Sequence, residues 1–471
     1  MSTENNIEFP ILKKFVEIGN RSLLIKGESG DGKKSISLDL AKSMTKNYNI
    51  YFITGNKKPE MVHIWYPWTK SFLPSENIIQ ISSNELISSD SNFLLAEMLN
   101  RISDTVATID DPFVSEEVPK KPFIILDIWD SIITEFNPQL KMHAEKIVTS
   151  LADKHNGFIV FLSDREENPS LEQLVDGVIQ TSKLYVDNFM MREIIIKKLM
   201  GIEIQTCKIP FSFKNGNLSA FSKFLHFKGK FKKFESIPDS ENRFSTGNQN
   251  FDAKLGGGFK KGAIIGIEID SDVDRYAFVP FLLPLVLNFL SHDNSSLISP
   301  SSDQNAESYL NHLSPHIDDQ KLLGNLRLYC HTFGDKKSEI VLDRGEGQNF
   351  DSAHKRWLEH YKQLKQKQNS LLMQVDYSFI ELGYRTNIDD ILKAMIENTR
   401  MIRHNKDLMM MTSRPGFQTL DVMKSACDIH FRIFDHNGCT FISTEKPKLF
   451  YSNIQTDSSL GFPRLQFTDI Y

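Results

Sequence analysis

Three glycines and a lysine carry the first chemistry in this chain. Gly27, Glu28, Ser29, Gly30, Asp31, Gly32 and Lys33 follow an apolar run, Leu23, Leu24 and Ile25. They precede a stretch with one apolar helical face, formed by Ile36, Leu38, Leu40, Ala41 and Met44. Glycine takes positive φ at little cost, so such a loop can turn several N–H groups toward one point while the following helix adds the positive end of its dipole. A polyphosphate fits there, and Lys33 is placed to reach its β and γ oxygens. The expected ATP or ADP site therefore comprises Gly27, Glu28, Ser29, Gly30, Asp31, Gly32, Lys33, Lys34 and Ser35. Position 34 departs from the rule, because a Ser or Thr hydroxyl ligates Mg²⁺ there and this chain has Lys34. Ser35 lies about 100° further round the helix and cannot simply take over. Phosphate binding is expected to survive, and efficient metal-assisted hydrolysis is not.

A second signal is PFIILDIWD, Pro122 to Asp130. An apolar strand ending in Asp127 puts a carboxylate at the carboxyl edge of a parallel sheet, where it can hold Mg²⁺ through water beside the phosphate loop. Asp130 is expected to N-cap the following segment. A general base is not evident: the strand Ile50 to Thr54 runs into Gly55, Asn56, Lys57 and Lys58, and Glu60 reads as a surface residue. No catalytic residue is assigned, and turnover is expected to be slow. Trp65, Tyr66, Pro67 and Trp68 form an aromatic cluster better suited to packing than to base stacking.

Stepping outward, 471 residues are enough for two or three domains with separate cores. A net charge of −5 argues against a molecule that sheathes nucleic acid along its whole surface. Cys207, Cys330, Cys427 and Cys439 lack paired spacing, which indicates thiols in a reducing cytoplasm rather than zinc or disulfides. The polar start, MSTENNIEFP, lacks the features of a secretory signal. The most apolar stretch, Ala277 to Leu290, is too short to span a bilayer and suits a core helix. No membrane association is expected.

The elements that position these residues alternate. Strands are expected at Ile50 to Thr54, Ile78 to Ile81, Pro122 to Asp127 and Gly157 to Ser163, with helices at 93 to 106 and 139 to 154. Residues 105 to 121 read as a surface loop. From 183 to 220 strands joined by turns follow, with Asn215, Gly216 and Asn217 as a hairpin turn. The α/β pattern then repeats: strands at 261 to 269, 326 to 331, 371 to 376 and 407 to 412, helices at 277 to 290, 351 to 367 and 388 to 404, and a β-rich end from Ile429. The reading is an N-terminal nucleotide-binding domain at 1 to 224, a basic and polar linker at 225 to 243, and a second domain at 244 to 471, related by internal duplication. Phe and Lys interleave from 221 to 234, a pattern open to an edge strand, a docking linker or a nucleic-acid strand.

These features resemble the KaiC-like branch of the RecA-type ATPases, and the N-terminal half is most similar to the archaeal gas-vesicle regulator family GvpD. The resemblance rests on SLLIKGESGDGK, YFITGNKKPEMVHIWYPW, PFIILD and the block LVDGVIQTSKLYVDNFMMREIIIKKLMGIEIQTCKIPFSFKNG. It implies an α/β fold of tandem RecA/KaiC-like P-loop domains, mainly parallel sheets flanked by helices. The family's Lys-x-Arg-Gly element, which touches the neighbouring subunit's γ-phosphate, reads Lys198, Leu199, Met200, Gly201 here. Lys198 is therefore the candidate trans phosphate contact, while the arginine is missing. Paired glutamates expected after the second strand are replaced by Gly55 and Asn56.

The second half is similar to the family over FSTGNQNFDAKLGGGFKKGAIIGIEI, but EIDSDVDR, Glu268 to Arg275, stands where a P-loop belongs. Asp270, Asp272 and Asp274 would repel phosphate, so this domain is expected to be a nucleotide-free, degenerate copy. The resemblance implies an ATP-binding regulator acting through a protein partner such as a transcription activator, and it leaves homo-oligomerisation open. The sequence leaves two other readings open: a DNA-stimulated RecA-type ATPase supported by the basic segment 221 to 234, and a structural protein with a vestigial P-loop.

Overall fold

The computed structural model describes residues 10–55, 58–81, 100, 120–127, 129–134, 136–186, 189–214, 217–221, 223–224, 227, 230–300, 306–330, 340–343, 349–367 and 369–470. The chain divides into two compact units, Met1–Phe221 with Ile470–Tyr471, and Ser222–Asp469. All but residue 100 of the helix expected at 93 to 106, most of the loop at 105 to 121, and Asn215 and Gly216 of the hairpin turn lie outside the described residues.

In the first unit nine strands form one sheet: β1 (Ser22–Lys26), β2 (Tyr48–Thr54), β3 (Ile78–Gln80), β4 (Lys121–Leu126), β5 (Phe158–Ser163), β6 (Gly177–Val186), β7 (Phe189–Leu199), β8 (Lys208–Lys214) and β9 (Asn217–Ala220). Their order is β3-β2-β4-β5-β1-β6-β7-β8-β9. The strands from β3 to β6 pair in parallel, and the tail from β6 to β9 pairs antiparallel. Described helices are α1 (Pro10–Glu17), α2 (Lys33–Met44), α3 (Pro59–Trp65), α4 (Trp129–Ile133), α5 (Pro138–Lys154) and α6 (Pro169–Leu174). β1 is buried along its whole length because helices cover both faces of a parallel sheet. Leu23 and Ile25 pack into one core with Ile36 and Leu38 of α2, and Leu24 packs into another with Val148 of α5.

The second unit repeats this frame. Its elements are β10 (Arg243–Phe244), α7 (Gln249–Lys254), β11 (Phe259–Lys260), β12 (Ile264–Ile269), α8 (Val279–Ser291), β13 (Ser295–Ser299), α9 (Ala306–Leu313), α10 (Asp319–Asn325), β14 (Leu326–Cys330), β15 (Val341–Asp343), α11 (Phe350–Lys365), β16 (Leu371–Asp376), α12 (Tyr377–Gly383), α13 (Ile388–Asn405), β17 (Leu408–Ser413), α14 (Gln418–Ala426), β18 (Ile429–His436), β19 (Cys439–Lys446), β20 (Tyr451–Asp457) and β21 (Arg464–Asp469). The ten-stranded sheet runs β15-β14-β13-β16-β17-β12-β18-β19-β20-β21, which is the first sheet's order with β15 added at one edge. Helix α8 is buried on nearly every side, as its almost wholly apolar sequence requires, and its one buried amide, Asn288, is hydrogen-bonded.

The copies also share an anchoring carboxylate. Asp176, just before β6, accepts from the N–H groups of Arg21 and Ser22 at the start of β1, at 2.8 and 3.1 Å. Asp428, just before β18, accepts from Ile264 N at the start of β12 at 2.8 Å. Each carboxylate fixes the central strand against its neighbour, and so fixes where that strand ends.

Residues 230 to 243 carry no regular structure until β10 and pack within the second unit. Phe234 meets Phe462, Phe231 stacks on Phe227 and meets His316, and Ile237 N donates to the buried Asn288 at 2.8 Å. No edge strand forms among the described residues of 221 to 234.

Asp407 is fully buried ahead of β17 and accepts from Tyr361 Oη at 2.6 Å, Lys365 Nζ at 2.9 Å and Leu371 N at 2.9 Å. Asp407→Ala strands Tyr361 Oη and Leu371 N and leaves Lys365 Nζ with Asn369 O alone, so the second unit should lose about 3–5 kcal/mol of unfolding free energy, measurable by denaturant titration of the intact chain.

Candidate nucleotide site

The end of β1 dictates the backbone of the phosphate loop. Gly27 has φ 151° and Gly32 has φ 98°. A Cβ on Gly27 would lie 2.2 Å from Thr181 Oγ1 and 2.6 Å from Thr181 O of β6. A Cβ on Gly32 would lie 2.6 Å from Phe213 Cζ of β8. Only glycine lets the chain leave the sheet through this gap. Gly27 N donates to Ser163 O at the end of β5 at 3.1 Å, and α2 begins at Lys33 directly after the left-handed Gly32.

Lys33 is buried, and its ammonium turns back into the loop. Nζ donates to Gly27 O and Glu28 O, both at 2.6 Å, and pairs with Asp164 Oδ1 at 2.7 Å. Asp164 follows β5 and is two-thirds exposed on the cleft side. Asp130 does not cap a helix as expected. It sits inside the first turn of α4 and accepts from Ser163 Oγ at 2.9 Å and Asp164 N at 2.5 Å, which steadies the backbone that carries Asp164.

Sequence reasoning missed a second cation. Lys183 of β6 donates to Ser29 O at 2.8 Å and pairs with the buried Asp31 at 3.1 Å, so it ties down the top of the loop. Period-two alternation is the signal that could have found it, because Thr181 and Lys183 share a face of β6 and Thr181 touches Gly27.

Lys34 reaches Asp127. Its Nζ lies 2.6 Å from Asp127 Oδ2, and both side chains are largely enclosed, 29% and 9% exposed. Tyr66 stands beside them: burial pushes its phenol up from the ordinary value, against the opposing influence of Lys34 and of a hydrogen bond with Ser35. Ser29, Gly30, Gly32, Lys33, Lys34, Asp127, Asp130 and Asp164 line a cleft of about 340 Å³ walled on one side by Trp65 and Tyr66. These residues do not fit Mg²⁺ held between loop and strand: the position that should offer a hydroxyl offers an ammonium, and that ammonium already engages the carboxylate. No group of three His, Cys, Asp or Glu suited to a metal occurs among the described residues.

Lys198 Nζ donates to Val175 O at 2.6 Å and Glu172 O at 3.3 Å, closing the end of α6. Glu60 is exposed in the first turn of α3. In the aromatic cluster Trp68 packs on Phe72, under Lys42 and edge to face with Tyr66, while Trp65 and Tyr66 also line the cleft. The four cysteines are free thiols, Cys207 exposed and the other three buried. No described helix is long and apolar enough to cross a membrane.

Strand register places the second unit's counterparts. Lys26 and Glu268 correspond, since each sits beside the final Ser of its neighbour, Ser163 or Ser413. Asp164 then corresponds to Arg414. Lys26 pairs with Gln180 and Glu268 with Arg432, so Lys183 corresponds to Asp435. Asp127 corresponds to Asp376, which caps α12 through Phe379 N at 3.0 Å. Where the loop should open, Asp270 is clamped by Arg432 at 2.9 Å and Asp270 N donates to Ile433 O.

The family model described as "GvpD gas vesicle protein, P-loop domain" matches residues 12–197, and "GvpD basic region 2" matches residues 233–344. Protein GvpD2 of Halobacterium salinarum is 21% identical, with 100% of this chain and 98% of that protein covered. Protein GvpD1 of the same organism is 22% identical over 68% of this chain and 60% of its own length. A P-loop domain implies nucleotide binding.

Lys183→Ala removes a cation paired with the buried Asp31 and frees Ser29 O. Nucleotide affinity should fall about tenfold or more, the scale of a lost charge-assisted contact, by calorimetric titration.

Proposed function

We propose, from the premise that this chain carries the P-loop domain and basic region 2 of the GvpD family, that it is an ATP- or ADP-binding regulatory switch that acts through a protein partner and hydrolyses ATP slowly or not at all. The observation that carries the reading is the seat of Lys33, whose ammonium is held by Gly27 O, Glu28 O and Asp164 inside a preformed glycine loop. A polyphosphate entering the loop competes with Asp164 for that ammonium. Asp164 shares its backbone support, Asp130, with α4, and the nearby Glu166 O holds Lys26 at the end of β1. Exchange of Lys33 between carboxylate and phosphate thus offers a route from nucleotide occupancy to the surface around residues 164 to 168.

Hydrolysis lacks support on three sides. Position 34 supplies no metal-ligating hydroxyl, Glu60 is exposed on α3, and the position of a trans arginine is Met200. The second unit serves as a docking or regulatory surface, because its counterpart loop presents Asp270, Asp272 and Asp274 to solvent or to Arg432. A cytoplasmic location and a transcription activator as partner fit a switch of this kind. Base stacking by the segment 221 to 234 has less support, since Phe234 packs on Phe462 within the second unit, although Phe231 stays exposed beside Phe227 and His316.

Titration of the full chain with ATP should give one site per chain, and Lys33→Ala should weaken it at least about tenfold. Turnover should stay on the order of 10⁻³ s⁻¹ or below, the range of P-loop sites without a supplied arginine. Unchanged affinity in Lys33→Ala would favour a vestigial loop. Strong stimulation by single-stranded DNA would replace the switch with a recombinase-type ATPase.

A further inference from the structure

We propose that the Lys34 ammonium takes the place of Mg²⁺, so that this protein binds its nucleotide without a divalent cation. The inference rests on the nucleotide reading above and deepens it. In an ordinary P-loop the metal bridges three things: the hydroxyl that follows the loop lysine, the carboxylate at the end of the neighbouring strand, and the phosphates. Here the residue after Lys33 spans that gap covalently. Lys34 leaves the first turn of α2 and sets its Nζ 2.6 Å from Asp127 Oδ2, the carboxylate at the end of β4. The positive charge stands between loop and strand end, as the metal's would, and it is a permanent part of the chain.

Three further observations exclude a metal from the same place. Ser35, the hydroxyl that follows Lys34 on α2, is buried and engaged with Tyr66. Of the cleft's other carboxylates, Asp130 is committed within the chain, to Ser163 Oγ and Asp164 N. A divalent ion entering beside Asp127 would also face the Lys34 and Lys33 ammonium groups at short range, a repulsion that a low-dielectric cleft strengthens. An ammonium has three donors, so it can hold Asp127 and a phosphate oxygen together. The Asp127 pair keeps the side chain extended over the site, so less rotamer entropy remains to be lost when phosphate arrives.

The test is equilibrium ATP binding to the full chain, first with excess EDTA and then with millimolar Mg²⁺. The two Kd values should agree within about threefold. Lys34→Thr, which returns the missing hydroxyl and releases Asp127, should bind at least about tenfold more weakly in EDTA and recover with Mg²⁺. Lys34→Arg keeps the cation and should remain insensitive to the metal, which guards against a folding defect in the threonine variant. Binding by the natural chain that tightens tenfold or more with Mg²⁺, and is lost in Lys33→Ala, overturns the metal replacement while leaving the nucleotide site intact. No binding in either condition removes the nucleotide reading and this inference with it.

Discussion

The close approach of β6 to the end of β1 governs the nucleotide site. Thr181 Oγ1 donates to Lys26 O at 3.3 Å and occupies the space that any side chain at position 27 would need. The chain must therefore leave the sheet at a glycine with positive φ, and it curls before α2 can begin. Two residues further along the same face of β6, Lys183 grips Ser29 and Asp31. From the opposite side, Ser163 O holds Gly27 N and Asp164 holds Lys33. The loop is clamped between two parallel neighbours of one strand, so its donors are oriented before any phosphate arrives.

The second unit shows what survives when that clamp is removed. Its sheet order, its antiparallel tail and its anchoring Asp428 reproduce the first copy, because these features belong to core packing and backbone pairing. The site does not survive, and the change is electrostatic as well as steric. Lys26, Asp164 and Lys183 have as counterparts Glu268, Arg414 and Asp435, a reversal of sign at all three. Burial raises the pKa of the Asp435 carboxyl, with Asp272 adding to the effect. Arg432 closes on Asp270 where a phosphate would enter. Fold and site have separated within one chain, as expected if function resides in a few side chains placed on a tolerant frame.

The same distinction explains what was legible in the sequence. The phosphate loop, β1, α2 and the strand ending in Asp127 are local patterns, and each stands where the residues indicate. The duplication is legible in the order of elements and is carried through to the order of strands. Strand β13 is not legible, because Ser295, Ser296 and Ser299 interrupt the apolar run even though all are buried in the sheet. The partners of the loop were missed for a different reason: Lys183 and Asp164 reach it only through strand register, far from it in sequence. Asp130 illustrates the converse, since a plausible local role as a cap gives way to a contact with Ser163 that no spacing rule contains.

An ammonium and a magnesium ion at one point in space are not chemically equivalent, and the difference bears on what the site can do. Mg²⁺ carries two charges, orders six ligands and polarises the bond to a leaving phosphate. Lys34 carries one charge, donates hydrogen bonds along directions set by its own chain, and cannot leave with a product. Such a group can offset polyphosphate charge in the ground state, yet it offers less to a transition state in which charge moves onto the bridging oxygens. The absence of an arginine at Met200 and the exposure of Glu60 on α3 point the same way. Under the proposed reading, a loop preorganised from two sides, with a fixed cation in the metal's position, would favour holding a nucleotide over breaking it. That preference is what a binding switch requires of its phosphate site.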